Sequence, residues 1–351
     1  MDKKVILSVA GSGKTTYIVS KIDLLKRYLI ITYTNANFEN LCNRIRSKFN
    51  GAIPNNISIF KFDSFLYNIL FKAMYSDEYQ DVKGIDFDQN NIQKYAQKNS
   101  DAYWRSKSLV YSSRLSSFLM RQESLLIDRI FAITDCLIID EVQDIGSRDF
   151  DLIMLFAKAN IELLYVGDFY QHTFQTSADG NYRKNLFSIY NKYVSELSKY
   201  GFEIDTKTLS KSYRCSANVC LFIKERIGIY IDSFRNDETI IAEIKDESRI
   251  KELWNDERIV KLHYKQSYVF KGNHRNWGDV KGEDNFNDVC IILNPTSYSK
   301  FTNNNLKSLA SMTRAKLYVA ITRARGNVYF ISSKALDKTF KEYGSIWYPI
   351  N

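Results

Sequence analysis

Apolar and polar residues along this chain change tempo in a regular way. Short, nearly unbroken apolar runs of strand length recur as "KKVILSV" (3–9), "YLIITYT" (28–34), "DCLIIDE" (135–141) and "IELLYVGD" (161–168). The first three lead into stretches with helical spacing, "KTTYIVSKIDLLKR", "NFENLCNRIRSKF" and "RDFDLIMLFAKA", and "NISIFKFDSFLYNILF" (56–71) reads as strand, turn and helix. Strands that alternate with helices predict an α/β fold built on a parallel sheet. Residues 72–130 break the rhythm: they are polar and aromatic at first, then helical in "SSFLMRQESLLIDRIF", and are expected to form a small helical insertion. A second strand-and-helix series begins near residue 200 with "SANVCLFIKERI", "RIVKLHY", "DVCIILN", "KLYVAITRA" and "NVYFIS". The expected organisation is a first domain over 1–71 and 131–195, the insertion over 72–130, and a second domain over 196–351. With three prolines and no low-complexity run, the two domains are expected to be closely joined.

Composition narrows the class. A chain of 351 residues is long enough for two medium cores, and 45% apolar with 25% charged residues is ordinary for a soluble protein. No apolar run is long enough to span a bilayer, and the N-terminus enters a strand pattern without a signal-peptide core, so no membrane partner is expected. Five scattered cysteines without a C-x-x-C pair argue against a disulfide framework or zinc site and for a cytoplasmic location. Three histidines make a histidine-based metal centre a poor fit. The net charge of +9 suits a polyphosphate partner and serves solubility equally well.

Three strand ends carry candidate chemistry. In "SVAGSGKTT" (8–16) the sequence Gly-x-Gly-Lys-Thr falls between a strand and a helix, the setting of a phosphate loop, although Ser8 stands where the strict pattern has glycine. Gly11 and Gly13 let backbone N–H groups face phosphates, Lys14 reaches the β and γ phosphates, and the Thr15 hydroxyl suits Mg²⁺. "CLIIDEVQD" (136–144) ends a strand in Asp140, placed to hold Mg²⁺, followed by Glu141, placed to deprotonate a water. "LYVGDFYQHTF" (164–174) offers Gln171 as a γ-phosphate sensor, and Arg214 and Arg323 could stabilise charge on that phosphate. Taken singly, each arginine reads first as a surface or ion-pair residue.

In their order along the chain, "AGSGKTT", "TYTNANFENL", "IIDEVQD", "VGDFYQHTF", "LSKSYRCS" and "LYVAITRAR" resemble the successive motifs of UvrD/Rep/PcrA-like superfamily 1 DNA helicases, from residue 8 to residue 325. The resemblance implies two tandem RecA-like P-loop NTPase domains with ATP and Mg²⁺ in the cleft between them and single-stranded DNA across their top. It assigns Ala10, Gly11, Ser12, Gly13, Lys14, Thr15, Thr16 and Tyr213 to the nucleotide, with Tyr213 stacked on the base. Thr15 and Asp140 fall to the metal, and Lys14, Glu141, Gln171, Arg214 and Arg323 to catalysis. Tyr33, Thr34, Asn35, Phe62 and Lys281 would contact DNA. The bottom-up reading of Tyr33 concurs, since aromatic faces above a basic groove build sequence-independent strand binding; a buried strand tyrosine is its alternative.

Several positions depart from the family. The upstream glutamine that reads adenine in the family is expected to be missing, and no room is expected for a large second insertion. Val280 replaces serine ahead of Lys281-Gly282, the spacing on to Val289 is longer, "QTSADGN" replaces a tryptophan-bearing turn, and Asp63 stands where histidine is common. The expected protein is a reduced motor: an ATP-dependent DNA translocase or helicase moving 3′ to 5′. Its rival is a nucleic-acid-sensing ATPase that regulates a partner such as a nuclease, as small UvrD-like proteins do in antiviral systems. A small-molecule kinase or GTPase has no use for the Asp-Glu-x-Gln-Asp and Thr-Arg-Ala motifs, and no guanine-reading Asn-Lys-x-Asp is present.

Overall fold

The computed structural model describes residues 2–88, 103–106, 108–173, 182–183 and 185–340. The chain divides into two compact units. The first comprises Met1–Leu7, Lys14–Phe169 and Phe174–Thr208; the second comprises Ser8–Gly13, Tyr170–Thr173 and Leu209–Asn351.

The first unit contains strands β1 (Lys3–Leu7), β2 (Tyr28–Thr32), β3 (Ile57–Lys61), β4 (Gly84–Asp86), β5 (Trp104–Ser106), β6 (Leu109–Tyr111), β7 (Cys136–Asp140), β8 (Glu162–Gly167) and β9 (Glu203–Asp205). Six of them form one sheet in the order β3-β2-β7-β8-β1-β9, with every neighbouring pair parallel. Strands β2 and β7 are buried along their whole length, which is why they read as unbroken apolar runs. Strand β9 lies beyond residue 195, the expected end of the first domain, yet it pairs with β1 and covers an edge that would otherwise stay open.

Parallel strands bring all their carboxyl ends to one side of the sheet. The chain leaves β1 and crosses two strands to reach β2, so that side holds a topological switch point, where α/β sheets bind ligands. Helix α1 (Lys14–Lys21) follows the glycine loop and buries Ile18 and Val19. Helix α2 (Asn35–Lys48) follows β2; the Thr34 hydroxyl caps it by accepting from the Asn37 N–H at 3.1 Å, and its Leu41, Cys42 and Ile45 are buried.

The region expected as an insertion carries helices Lys72–Tyr75, Ser112–Leu119 and Glu123–Ile133 and, in addition, a small sheet of order β4-β6-β5. Its aromatic residues make their own core: Tyr75 and Phe118 lie 4.8 Å apart, and Tyr79 stacks on Trp104 at 5.0 Å.

The second unit opens with a short parallel pair, β10 (Lys211–Ser212) and β11 (Asp232–Ser233). Its main sheet contains β12 (Ile241–Glu243), β13 (Val260–His263), β14 (His274–Asn276), β15 (Val289–Leu293) and β16 (Val328–Ser332) in the order β12-β16-β15-β13-β14, again all parallel. Side chains alternate between two buried faces. Val289, Ile291, Leu293, Val328 and Phe330 join one apolar cluster, while Cys290, Ile292, Tyr329 and Ile331 join another with Trp254 and Phe340. The apolar stretch of "KLYVAITRA" lies in a helix, Ser311–Ile321, whose last five residues, Leu317 through Ile321, are all buried. Both units have the RecA-like α/β architecture expected from the motifs.

Candidate nucleotide site and strand-binding cleft

The predicted nucleotide-site residues fall into two constellations, one inside each unit. In the first, Lys14 opens α1 and its ammonium lies 3.3 Å from Glu141 Oε1. Glu141 leaves β7 in a left-handed conformation (φ 59°, ψ 44°), which turns its carboxylate out of the strand direction. Gln143 then fixes it. The Gln143 Nε2 donates to Glu141 Oε2 at 2.5 Å, and Gln143 Oε1 accepts the backbone N–H of Asp168 at 2.9 Å. One amide therefore joins the ends of β7 and β8. Gly167 makes room for it, since a Cβ there would sit 2.2 Å from Gln143 Oε1 and 2.9 Å from Val142 Cγ1.

Asp140 ends β7 with 3% exposure, and among the described residues its buried Oδ1 has no hydrogen-bond partner. Burial, followed by the neighbouring charge of Glu141, pushes its pKa up to about 7. Burial pulls the Lys14 pKa down, but Glu141, Asp168 and Asp140 outweigh it and leave the ammonium more basic than usual. Three carboxyl groups surround one ammonium, and one of them, Asp140, carries a buried oxygen with no hydrogen-bond partner among the described residues. The residues fit a hard divalent cation. Among the described residues no group of three or more His, Cys, Asp or Glu could cage a metal alone. An ion held partly by phosphate and water oxygens matches that donor set. Thr15 is half-buried beside Lys14 in the first turn of α1; Thr16 is exposed and its hydroxyl accepts from Arg44 Nη1 at 2.9 Å.

In the second unit, Gly11 and Gly13 have left-handed backbones (φ 69° and 83°), and a Cβ on Gly11 would lie 2.7 Å from both Arg214 Cβ and Ser212 Oγ. The Tyr213 N–H donates to the Gly11 carbonyl at 2.8 Å, the Ala10 N–H donates to the Tyr318 hydroxyl at 2.9 Å, and the buried Ser12 hydroxyl has no partner among the described residues. Tyr213 is 59% exposed and its ring stacks on Phe234 at 4.2 Å. Arg214 and Arg323 meet at the carboxylate of Asp284. Gln171 is buried, and its backbone carbonyl accepts from Lys281 Nζ at 3.1 Å. Val280, the departure from serine, is fully buried in the apolar core.

Tyr33, Thr34 and Asn35 line one cleft of about 510 Å³ in the first unit, with Lys61, Asp63, Ser64, Tyr67, Asn68, Ile85 and Phe87. Burial first, then the charges of Asp63, Asp149 and Asp144, keep the Tyr33 phenol protonated, so it presents a neutral ring and a hydroxyl. Asn35 is exposed, and Phe87 is 62% exposed. The Thr34 hydroxyl is committed to capping α2. Phe62 requires a correction: it is 2% exposed, because the chain turns from β3 into a helix at that residue and carries its ring into the core. The "QTSADGN" segment lies outside the described residues. Sequence reasoning missed Gln143, Asp284, Phe234, Tyr67 and Phe87. Only the placing of Gln143 within "DEVQD" offered a signal.

Residues 2–114 match the family model of the UvrD/REP helicase N-terminal domain, and residues 90–332 match that of the viral superfamily 1 RNA helicase core domain. No curated protein matches by sequence. Among solved structures, the Arterivirus nonstructural protein 10 (helicase) is similar with a TM-score of 0.50 and 16% identity, over 96% of this chain and 61% of that one. The same helicase in complex with DNA gives 0.49 and 15%, over 98% and 63%. The chain thus spans about three fifths of the length of these helicases, and at such identities the likeness is one of fold. None of the described helices is long and apolar enough to cross a membrane.

Proposed function

The chain belongs to the superfamily 1 helicases, and on that premise we propose that it is an ATP-driven motor on single-stranded DNA that steps 3′ to 5′. The observation that carries the reading is the buried Asp140 carboxylate, with one oxygen unpartnered, beside the Lys14–Glu141 pair at the carboxyl side of a parallel sheet. Thr15 and Asp140 are the residues that would hold Mg²⁺, whose charge screens the phosphates and favours in-line attack. The backbone N–H groups of Gly11 and Gly13 face phosphate oxygens in this reading, with Ala10, Ser12 and Thr16 beside them, and Tyr213 offers an exposed face to the base. An incoming phosphate draws Lys14 away from Glu141. The carboxylate so released, still gripped by Gln143, accepts a proton from the attacking water. Arg214, Arg323 and Gln171 stabilise charge on the terminal phosphate.

The strand-binding face is the cleft of Tyr33, where ring faces and amide side chains meet a chain of bases without reading them. Lys281, bonded to the Gln171 carbonyl, ties a nucleic-acid contact to a phosphate sensor. The five cysteines are free and buried, which supports a reducing, cytoplasmic setting.

The decisive experiment measures ATP turnover without nucleic acid and with single-stranded DNA, duplex DNA and RNA, followed by stopped-flow translocation. Stimulation by single-stranded DNA with directed movement supports the motor. The match to a viral RNA helicase core gives RNA a specific claim as the track, and stronger stimulation by RNA would move the proposal there. Stimulation without movement would favour an ATPase that reports nucleic acid to a partner such as a nuclease.

A further inference from the structure

The two arginines assigned to the terminal phosphate share one anion within their own unit. Arg214 Nη2 donates to Asp284 Oδ1, and Arg323 Nη1 lies 3.6 Å from the same oxygen. Neither guanidinium depends on that carboxylate for its orientation. Arg214 Nη1 donates to the Thr322 carbonyl at 3.2 Å, and Arg323 donates through Nε to Val319 O at 3.3 Å and through Nη1 to Glu283 O at 3.1 Å. The arginine side chains are 11% and 2% exposed, whereas that of Asp284 is 52% exposed. The Asp284 backbone is held separately, by Arg325 Nε donating to its carbonyl at 3.0 Å. The result is two anchored, largely buried cations facing one carboxylate that can rotate into solvent without moving its backbone.

We propose that Asp284 is a placeholder for the terminal phosphate: its carboxylate occupies the donors of Arg214 and Arg323 that the phosphate takes, so that triphosphate binding exchanges one anion for another. The inference rests on the reading of these arginines as ligands of that phosphate. Two buried guanidinium groups that lose a shared carboxylate would attract a small anion more strongly. With Asp284 in place, an anion gains only by the margin through which it outcompetes a tethered carboxylate. A phosphate carrying more charge and three acceptor oxygens does so, and a diphosphate nucleotide, which lacks that phosphate, does not. Asp284 therefore lowers the affinity for triphosphate, and it disfavours free inorganic phosphate more strongly, because that ion has no nucleotide contacts to add to the exchange.

The test compares the full chain with Asp284→Asn, which is isosteric and removes the charge, with Asp284→Ser, and with the charge-retaining Asp284→Glu. Equilibrium binding of a non-hydrolysable ATP analogue and of ADP is measured, with inhibition of turnover by inorganic phosphate. Asp284→Asn and Asp284→Ser should tighten the triphosphate analogue by about 3- to 10-fold, leave ADP nearly unchanged and make inorganic phosphate a better inhibitor. Asp284→Glu should stay close to the parent. Unchanged or weaker triphosphate binding in both neutral variants, with parental circular dichroism, would overturn the placeholder. Arg214→Ala and Arg323→Ala separate the two levels. If neither weakens the triphosphate analogue, the reading of the arginines fails and the placeholder with it. If both weaken it while Asp284→Asn does not tighten it, the placeholder alone fails.

Discussion

Gln143→Ala isolates what holds the proposed general base. The native amide donates to Glu141 Oε2 at 2.5 Å and accepts from the Asp168 N–H at 2.9 Å, in a place where Gln143 is 1% and Asp168 0% exposed. Truncation removes a hydrogen bond to a charged acceptor, which contributes about 1.5–3 kcal/mol, and orphans a buried amide at a cost of about 1–3 kcal/mol. With water entering part of the vacated space, the loss should be about 2–4 kcal/mol, confined to the ends of β7 and β8. Two readings follow. Amide hydrogen exchange at Asp168 should accelerate by about 10-fold or more, because that N–H loses its acceptor. The ATPase kcat should fall by about 10- to 100-fold, because Glu141 loses the group that aims it. Gln143→Glu divides the effects: a carboxylate still accepts the Asp168 N–H but repels Glu141, so exchange stays slow while kcat falls. Parental kcat in both variants would refute the positioning role, and parental Asp168 exchange in Gln143→Ala would refute the bridge itself.

Three further outcomes are expected. Lys14→Ala should weaken nucleotide binding, whereas Glu141→Gln should bind ATP and fail to turn it over; robust hydrolysis by Glu141→Gln in a phosphate-release assay would end the assignment of the base. Tyr33→Ala should weaken single-strand affinity by about 5- to 150-fold in fluorescence anisotropy, since stacking is worth about 1–3 kcal/mol per base, and an unchanged affinity would move the strand out of this cleft. The buried pair His263 and His274, in contact at 2.9 Å, has pKa values pushed down to about 3 and about 4, by burial first and then by neighbouring positive charge. An unfolded histidine binds its proton near the ordinary value of about 6.5, so the unfolded chain takes up more protons below that pH. The second unit should therefore lose stability as pH falls from about 6.5 through about 4, and His274→Gln should flatten that slope in thermal denaturation scans.

How much of this was legible in the sequence depends on how local each feature is. A parallel strand covered on both faces writes an unbroken apolar run, and its chemistry follows at the carboxyl end. Lys14, Asp140 and Glu141 could therefore be read from spacing alone, and the structure brings Lys14 and Glu141 within 3.3 Å. The small sheet in the insertion was not legible, because strands of three residues are too short for a period to show. Nor was the burial of Phe62, which follows from a helix starting where a turn was expected. Asp284 is the deepest miss. Its partners lie 70 and 39 residues away, and a carboxylate that neutralises two arginines looks in sequence like any solvated acid. The ion-pair reading of Arg214 and Arg323 and the catalytic reading are also not rivals. A guanidinium that must wait, buried, for a phosphate needs an anion meanwhile, and the anion that serves best is one tethered closely enough to neutralise it and loosely enough to leave. The same physics holds for Lys14 and Glu141, where a cation proposed to act in catalysis rests against the proposed general base. In both units the proposed catalytic charges are stored as ion pairs, and binding of a polyanion is what takes them apart.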